Sequence, residues 1–146
     1  MPVFWCPCCQ TSIAQAELES KNVKSYFNHI NFSCEGQNLE IATTRPEFLG
    51  GCVAIFVNPT DERYKNIIGK KVKVPLFEEN EVTVYADEKV GIEKGTGIVM
   101  CCTFGDQTDT QWFKKYNLEL KVAIDDLGRM TAIAGKYEGM KTKEAR

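Results

Sequence analysis

Apolar and polar positions along this chain of 146 residues fall into short segments of strand type, separated by turns. Residues 52–57 form a continuous apolar run, whereas valines at 72, 74, 82 and 84 alternate with polar residues. These patterns predict strands over 23–32, 39–44, 52–57, 72–74, 82–84 and 98–103. The strands at 72–74 and 82–84 are expected to be joined through 77–80, and 13–19 is expected to be an exposed strand or a short helix.

Helical periodicity is confined to short segments. We expect helices over 61–68, ended by Gly69, and over 108–116, with Asp106 or Thr108 as the cap. Residues 141–146 resemble the first turns of a helix, and 121–124 with 130–132 predict a hairpin. Several short strands between turns indicate an α+β, mainly β fold, in which a curled sheet or β-barrel core carries short peripheral helices.

Length and composition indicate one ordinary globular domain, with 43% hydrophobic and 26% charged residues. The net charge of -2 disfavours a general nucleic-acid binder, although local contacts through Lys70, Lys71 and Lys73 stay open. No apolar run has the length of a membrane span, and Met1 leads into cysteines without a signal sequence. An odd number of cysteines, seven, suits reduced thiols. We therefore expect a cytoplasmic protein.

The stretch 95–109 combines a glycine-bracketed turn, an apolar run and two carboxylates, Asp106 and Asp109, where a strand should give way to a helix. Helix capping explains either aspartate by itself, because carboxylates are favoured at helix N-termini. A pair of acids directly after a glycine-rich strand also suits a polar pocket. Both interpretations stay open at this point. The glycines match no complete phosphate-binding pattern, so nucleotide binding is weakly supported.

Two other segments carry candidate chemistry. Thr43, Thr44 and Arg45 present hydroxyls and a guanidinium at a strand end before Pro46, although a capped turn explains the same residues. Cys6 and Cys9 form a C-x-x-C pair, with Cys8 between them. Two thiolates at this spacing make half of a tetrahedral zinc site, and ordinary thiols are the alternative. The single histidine, His29, is expected to have no chemical role.

Four blocks of sequence resemble the editing domain inserted in class I aminoacyl-tRNA synthetases, and specifically the archaeal type of its valyl branch. They are Phe4-Trp-Cys-Pro7 with Ala14-Gln-Ala-Glu17, Ala42-Thr-Thr-Arg-Pro-Glu47, Asn58-Pro-x-Asp-Glu-Arg-Tyr64 with Ile68-Gly-Lys70, and Gly95-Thr-Gly97 with Cys102-Thr-Phe-Gly-Asp-x-Thr-Asp109. The resemblance covers nearly the whole chain. The second block and Gly95-Thr-Gly97 are shared with leucyl and isoleucyl relatives, whereas the third block and Cys102-Thr-Phe-Gly-Asp106 point to the valyl branch.

The resemblance implies one editing domain over 1–146, a piece of a larger synthetase, with a junction segment at 1–20 and an editing core at 21–140. It implies hydrolysis of the aminoacyl ester of mischarged tRNA(Val), chiefly Thr-tRNA(Val). An apolar synthetic site cannot strongly reject an isostere that carries a hydroxyl, and valyl-tRNA synthetase against threonine is the known example of this limit. An editing domain of an isoleucyl or leucyl synthetase, or a noncatalytic module that binds the tRNA acceptor end, are the alternatives.

The resemblance also implies roles for individual residues. Asp109 would hold the substrate's α-ammonium group, and Asp106 would read the threonine hydroxyl. The threonine-rich wall of Thr43, Thr44 and Arg45 would contact the terminal adenosine and place the attacking water. The remaining substrate-binding candidates are Thr96, Met100 and Cys102.

Two of these candidates depart from the bacterial pattern. Met100 and Cys102 replace a lysine and a threonine on the pocket strand, and Phe48 replaces a threonine after Glu47. No cofactor is expected for editing, and a structural zinc ion is expected only in the full-length enzyme. The expected partners are the 3′ end of tRNA(Val) and the remaining synthetase domains, with no membrane.

Overall fold

A computed structural model of the chain describes residues 3–102 and 107–146, without the side chains of Glu78 and Glu79. The strands are β1 Phe4–Cys6, β2 Thr11–Ile13, β3 Asn28–Cys34, β4 Gln37–Thr43, β5 Cys52–Val57, β6 Lys71–Val74, β7 Phe77–Ala86 and β8 Ile98–Cys102. The α-helices are α1 Gln107–Tyr116 and α2 Thr142–Ala145. Short 3₁₀ turns cover Gln15–Glu17, Pro46–Gly51, Lys65–Ile67 and Ala132–Tyr137.

Six of the strands form one curled sheet in the order β4-β3-β6-β7-β5-β8. All neighbouring pairs are antiparallel except β5 and β7, which are parallel. The two outer strands, β4 and β8, lie close together, so the sheet is nearly closed into a barrel. The hydroxyl of Thr96, just before β8, donates to the carbonyl of Glu40 on β4 at 2.5 Å. The prediction of a mainly β fold with a curled sheet is confirmed.

The strand β5 shows why a continuous apolar run was needed. Ile55 and Val57 are wholly buried inside the barrel, whereas Ala54 and Phe56 are buried in a second cluster that packs under α1. Successive side chains of a strand point to opposite faces, so a strand covered on both faces must be apolar at every position. Each buried side chain of this size contributes about 1.5 to 3 kcal/mol of hydrophobic stabilisation.

The prediction of a helix over 61–68 is wrong. The segment forms turns and one short 3₁₀ turn, Lys65–Ile67. The Asp61 carboxylate accepts hydrogen bonds from the backbone N–H of Arg63 at 3.1 Å and from its guanidinium at 3.0 and 2.8 Å. Such local side-chain bonds compete with the i to i-4 bonds of an α-helix.

Four other expectations are corrected. Residues 77–80 belong to the long strand β7 and not to a turn; the chain reverses instead at Pro75 and Leu76, where the φ of Leu76 is 66°. The hairpin around 125–128 is reduced to a single bridge between Ile124 and Met130. Residues 23–27 precede β3 without regular structure. Thr108 lies within α1 and is therefore not its cap, while Asp106 lies outside the described residues.

The segment with the cysteine pair forms a two-stranded hairpin, β1 with β2, at one side of the barrel. It is attached to the 125–128 turn, because the indole N–H of Trp5 donates to the Asp126 carbonyl at 2.8 Å. No described helix combines the length and the apolar character needed to cross a membrane.

Candidate functional site

A cavity of about 300 Å³ lies where the end of β4, the strand β8 and the first turn of α1 meet. It brings together six of the predicted site residues, Thr43, Thr44, Arg45, Met100, Cys102 and Asp109. A larger groove of about 960 Å³ lies on the other side of Arg45 and Phe48, and it contains none of the other predicted pocket residues. The smaller cavity is therefore the candidate site, because the candidate chemistry converges there.

One wall of the cavity is the turn that follows β4. The Thr43 hydroxyl accepts the backbone N–H of Arg45 at 3.1 Å, and Pro46 begins the 3₁₀ turn. The guanidinium of Arg45 stacks on the ring of Phe48, 4.0 Å from its centroid. The capped-turn interpretation and the pocket-wall interpretation thus describe the same structure, since the turn holds the wall residues in place.

This wall is anchored by a buried carboxylate. The Glu47 side chain is 0% exposed, and Arg45 Nε donates to it at 3.3 Å. Arg146, which follows α2, donates to the same carboxylate at 2.6 and 3.1 Å. A buried charge is tolerated when it is paired and hydrogen-bonded. Glu47 therefore fixes the backbone from which the threonine wall projects.

The opposite wall carries Asp109. This residue lies in the first turn of α1 and is 7% exposed, a position where the helix dipole stabilises a carboxylate. Trp112, one turn later, also lines the cavity and stacks on Phe56 with ring centroids 4.1 Å apart. The far end of α1 is tied to Asp87, which accepts hydrogen bonds of 2.8 Å from Lys115 and from Tyr116. The helix thus presents Asp109 from a rigid support.

The strand β8 contributes an apolar surface between these walls. Cys102 is 3% exposed and its thiol donates to the Phe48 carbonyl at 3.3 Å. Burial raises the pKa of the Cys102 thiol well above its usual value, and the nearby Cys52 and Asp109 add to this effect. Cys102 is therefore a neutral thiol at physiological pH and not a thiolate nucleophile. Met100, which is half-buried, extends the same surface.

Two predicted pocket residues remain, Asp106 and Thr96, and of the described residues Thr96 is not among those lining the cavity. Asp106 lies outside the described residues. The Thr96 hydroxyl donates to Glu40, and its carbonyl accepts the Tyr64 hydroxyl at 2.7 Å. In the structure Thr96 therefore braces the 95–97 turn against β4.

The cavity also contains residues that the sequence did not single out, namely Phe27, Lys89, Lys94 and Trp112. Both lysines are exposed, so the rim of the cavity is cationic whereas Asp109 lies inside. Trp112 lies three residues after Asp109, on the same face of α1, and this spacing was the one signal that could have found it. The other three belong to loops without periodic pattern.

The Cys6 and Cys9 pair forms a tight turn within the β1–β2 hairpin. The backbone N–H of Cys9 donates to the Cys6 sulfur at 3.4 Å, and backbone and side-chain bonds from Cys9 lower the pKa of Cys6. The same contact with Cys6 raises the pKa of Cys9, so the thiolate, which is the form that binds zinc, is favoured at Cys6. Within residues 3–102 and 107–146, no three His, Cys, Asp or Glu side chains cluster as a metal site.

Comparison with known proteins gives consistent similarities. A family model described as leucyl-tRNA synthetase, editing domain, matches residues 60–145. The valine–tRNA ligase of Methanocaldococcus jannaschii is 56% identical over 147 residues, which cover 99% of this chain and 17% of that protein. The valine–tRNA ligase of Haloarcula marismortui is 49% identical over 154 residues, with the same coverage. The chain thus spans about one sixth of the length of these curated relatives.

A solved structure supports the fold. It is the ternary complex of the Agrobacterium radiobacter K84 agnB2 LeuRS with tRNA and LeuAMS, at a TM-score of 0.56 and 20% identity. The match covers 68% of this chain and 16% of that chain. At this identity the likeness shows a shared fold.

Proposed function

The chain belongs to the family of aminoacyl-tRNA synthetase editing domains, and we propose that it hydrolyses the ester bond of a mischarged tRNA, with Thr-tRNA(Val) as its substrate. We further propose that it acts in the cytoplasm as one domain of a valine–tRNA ligase, whose other domains hold the body of the tRNA. The observation that carries the proposal is the meeting of Asp109 with Thr43 and Thr44 in one cavity.

The charges of the cavity match those of an aminoacylated nucleotide. An aminoacyl ester carries a free α-ammonium group, which Asp109 would hold inside the cavity. A charge-assisted hydrogen bond of this kind contributes about 1.5 to 3 kcal/mol. The phosphates of the RNA would lie near the rim, where Lys89 and Lys94 are exposed. A buried carboxylate opposite the threonine wall would repel RNA phosphates, so it favours an editing site over a purely noncatalytic RNA contact.

The reaction we propose is direct attack by a positioned water on the ester carbonyl. The hydroxyls of Thr43 and Thr44 would orient this water, and Asp109 would hold the amino acid at the correct distance. The water oxygen bonds to the carbonyl carbon as the water gives up one proton, the ester bond to the ribose oxygen breaks, and that oxygen takes up one proton, so the products are the free amino acid and the ribose hydroxyl. No covalent enzyme intermediate is needed, consistent with the neutral, hydrogen-bonded thiol of Cys102.

Selection of threonine over valine needs a polar partner for the extra hydroxyl. We propose Asp106 for this role, because valine would leave that acceptor desolvated at a cost of about 1 to 3 kcal/mol. Met100 and Cys102 favour a second candidate, in which an apolar misattached residue is removed. The similarity to archaeal valine–tRNA ligases along 99% of the chain supports the threonine substrate over this second candidate.

The test is deacylation by the full synthetase of tRNAs charged with threonine, valine or isoleucine. We expect Thr-tRNA(Val) to be hydrolysed fastest, and Asp109→Asn to lower kcat/KM by about ten- to hundredfold. Glu138→Gln, an exposed change outside the cavity lining, should have no effect. Faster hydrolysis of an apolar ester would assign the second candidate, and an Asp109→Asn enzyme of normal activity would remove the ammonium role.

We also propose that Cys6 and Cys9 contribute half of a structural zinc site, whose other ligands come from outside the described residues. Two cysteine sulfurs in a tight turn have the donor chemistry that zinc prefers, because metal binding itself displaces their protons. The metal would stiffen the hairpin and take no part in hydrolysis, because neither cysteine lines the catalytic cavity.

A further inference from the structure

Phe27 is a half-exposed aromatic residue in the lining of the cavity. Its side chain lines the cavity, yet the residue is 52% exposed. The neighbouring Tyr26 is 67% exposed and does not line it. Single exposed apolar residues are common and need no explanation by themselves. Phe27 differs because one part of its surface faces the site while another faces solvent beside it.

The position of Phe27 is fixed relative to the threonine wall. Asn28 begins β3 and pairs with Thr43 at the end of β4. The side-chain amide of Asn28 donates to the carbonyls of Tyr26 and of Thr43, both at 3.3 Å. These bonds join the backbone on either side of Phe27 to the strand end that carries the wall. The backbone at Phe27 is therefore held beside the residues proposed to contact the terminal nucleoside.

Charge around the mouth suits an RNA strand. Lys89 and Lys94 line the same cavity and are exposed. The Lys24 ammonium lies 5.4 Å from the ring centroid of Tyr26, which does not line the cavity, so Lys24 is not counted among these charges. An aromatic side chain with lysines nearby is the combination by which proteins bind single-stranded nucleic acid.

The size of the cavity decides which nucleotide can contact Phe27. A volume of about 300 Å³ lies at the low end of the range for ligand pockets. One aminoacylated nucleoside fills such a space, so the nucleotide before it must lie outside the mouth. Phe27 lines the cavity and is 52% exposed, so it offers an aromatic surface to a nucleotide in that position.

We propose that Phe27 stacks on the nucleobase that precedes the terminal adenosine, and so aligns the 3′ end of the tRNA as it enters the cavity. This inference rests on the proposed function. Phe27 is then a positioning residue for the RNA. It contacts neither the ester nor the amino acid, and its effect is exerted on substrate binding.

The experiment compares two esters in the full synthetase: Thr-tRNA(Val), and threonyl-adenosine, which lacks the preceding nucleotide. Loss of one base stack should raise KM for Thr-tRNA(Val) about tenfold in Phe27→Ala. The kcat for Thr-tRNA(Val) and both constants for threonyl-adenosine should stay unchanged. Phe27→Trp should restore KM, because indole also stacks. Tyr26→Ala is the matched control, and it should behave as the wild type does.

Three results would overturn the inference: an unchanged KM for Thr-tRNA(Val), an equal loss with both esters, or an equal loss in Tyr26→Ala. An unchanged KM for Thr-tRNA(Val) would indicate that Phe27 contacts another protein domain and not the RNA. Failure of the proposed function would look different, because wild-type enzyme would then hydrolyse neither ester. Binding of an RNA trinucleotide with the sequence of a tRNA 3′ end would still test Phe27, and about tenfold weaker binding in Phe27→Ala is expected.

Discussion

The buried carboxylate of Glu47 accepts a 2.6 Å hydrogen bond from the guanidinium of Arg146, which follows 99 residues later in the chain. The Glu47 side chain is wholly buried, whereas that of Arg146 is 41% exposed. Glu47 also accepts the Nε of Arg45, so one carboxylate joins the last helical segment to the threonine wall of the cavity. The C-terminal segment therefore supports the site although none of its charged groups needs to touch substrate.

We expect Glu47→Gln to lower the free energy of unfolding by about 1 to 3 kcal/mol, because two arginines lose a charged partner in a buried position. Urea unfolding at neutral pH would measure this. Glu40→Gln is a suitable control, since Glu40 pairs with His29 on the surface and both side chains are more than half exposed. Exposed pairs contribute about 0 to 1 kcal/mol. Equal effects of the two changes would contradict the anchoring role.

The Glu47 carboxylate should also make the free energy of unfolding depend on pH in the acid range. Burial alone would raise the pKa of Glu47, but the hydrogen bonds from Arg146, from its own backbone and from Arg45 outweigh it and lower the pKa. A lowered folded-state pKa means that this stabilisation is present above the unfolded pKa and is lost as pH falls through the folded one. Unfolding curves of wild type and Glu47→Gln should therefore converge as the pH is lowered below about 4.

The stabilisation from the Asp87 carboxylate should also be lost at low pH, and it acts by holding the end of α1. Burial would raise its pKa, yet the Lys115 side chain, the Lys89 backbone N–H and the Tyr116 hydroxyl hold the pKa well below its usual range. We expect Asp87→Asn to cost about 2 kcal/mol at neutral pH, and this loss to shrink only in strong acid. Glu88→Gln, an exposed neighbour, should be neutral. Circular dichroism during urea unfolding measures both, and an equal loss in the two variants would contradict the role.

Which features could be predicted from the sequence depends on how local their causes are. The strand β5 was predicted to the residue, because burial on both faces leaves an unbroken apolar run between glycines and a proline. Thr43 and Asp109 could be predicted to share a cavity because a strand end and a helix start each have recognisable residues, and the resemblance related them. The helix over 61–68 failed because Asp61 bonds locally to Arg63, which no periodicity reveals.

Other parts of the site depend on contacts that only the fold creates. Phe27 reaches the cavity because β3 pairs with β4, and nothing in its own segment indicates a site. The pairing of Glu47 with Arg146 spans 99 residues and has no sequence signature. Thr96 was expected in the pocket, but the near closure of the barrel brings its hydroxyl to Glu40 instead.

Two glycines offer a matched test of how tightly the turn before β8 is packed. Gly97 has a φ of +82°, and an added Cβ would lie 2.9 Å from the Ile92 carbonyl and 2.7 Å from Arg63 Nη2. Gly36 has nearly the same φ, +85°, but nothing within 4 Å. Both alanine variants bear the cost of a left-handed residue, about 1 to 2 kcal/mol.

Gly97→Ala should lose about 1 to 3 kcal/mol more than Gly36→Ala, because the neighbouring backbone must also move. Thermal and urea unfolding of the two variants would measure the difference. Equal losses would show that the turn adapts to a side chain.

The cysteines should separate into two classes of reactivity. Cys8 and Cys9 are exposed, and the Cys6 thiol has a lowered pKa because Cys9 hydrogen-bonds to it. The thiols of Cys34, Cys52, Cys101 and Cys102 are buried, and burial raises the pKa of Cys52 to about 12. Because the thiolate is the reactive form, brief treatment with iodoacetamide at neutral pH should modify the Cys6–Cys9 turn first.

Peptide mass spectrometry would locate the modified residues, with urea-unfolded protein as the control in which all seven cysteines react. Added zinc should protect Cys6 and Cys9 in the full synthetase if they belong to a structural site. Early modification of Cys102 in folded protein would contradict its place as a buried, neutral thiol on the cavity wall. It would also reopen a nucleophilic role for that residue, since an accessible thiolate beside Asp109 could attack an ester directly.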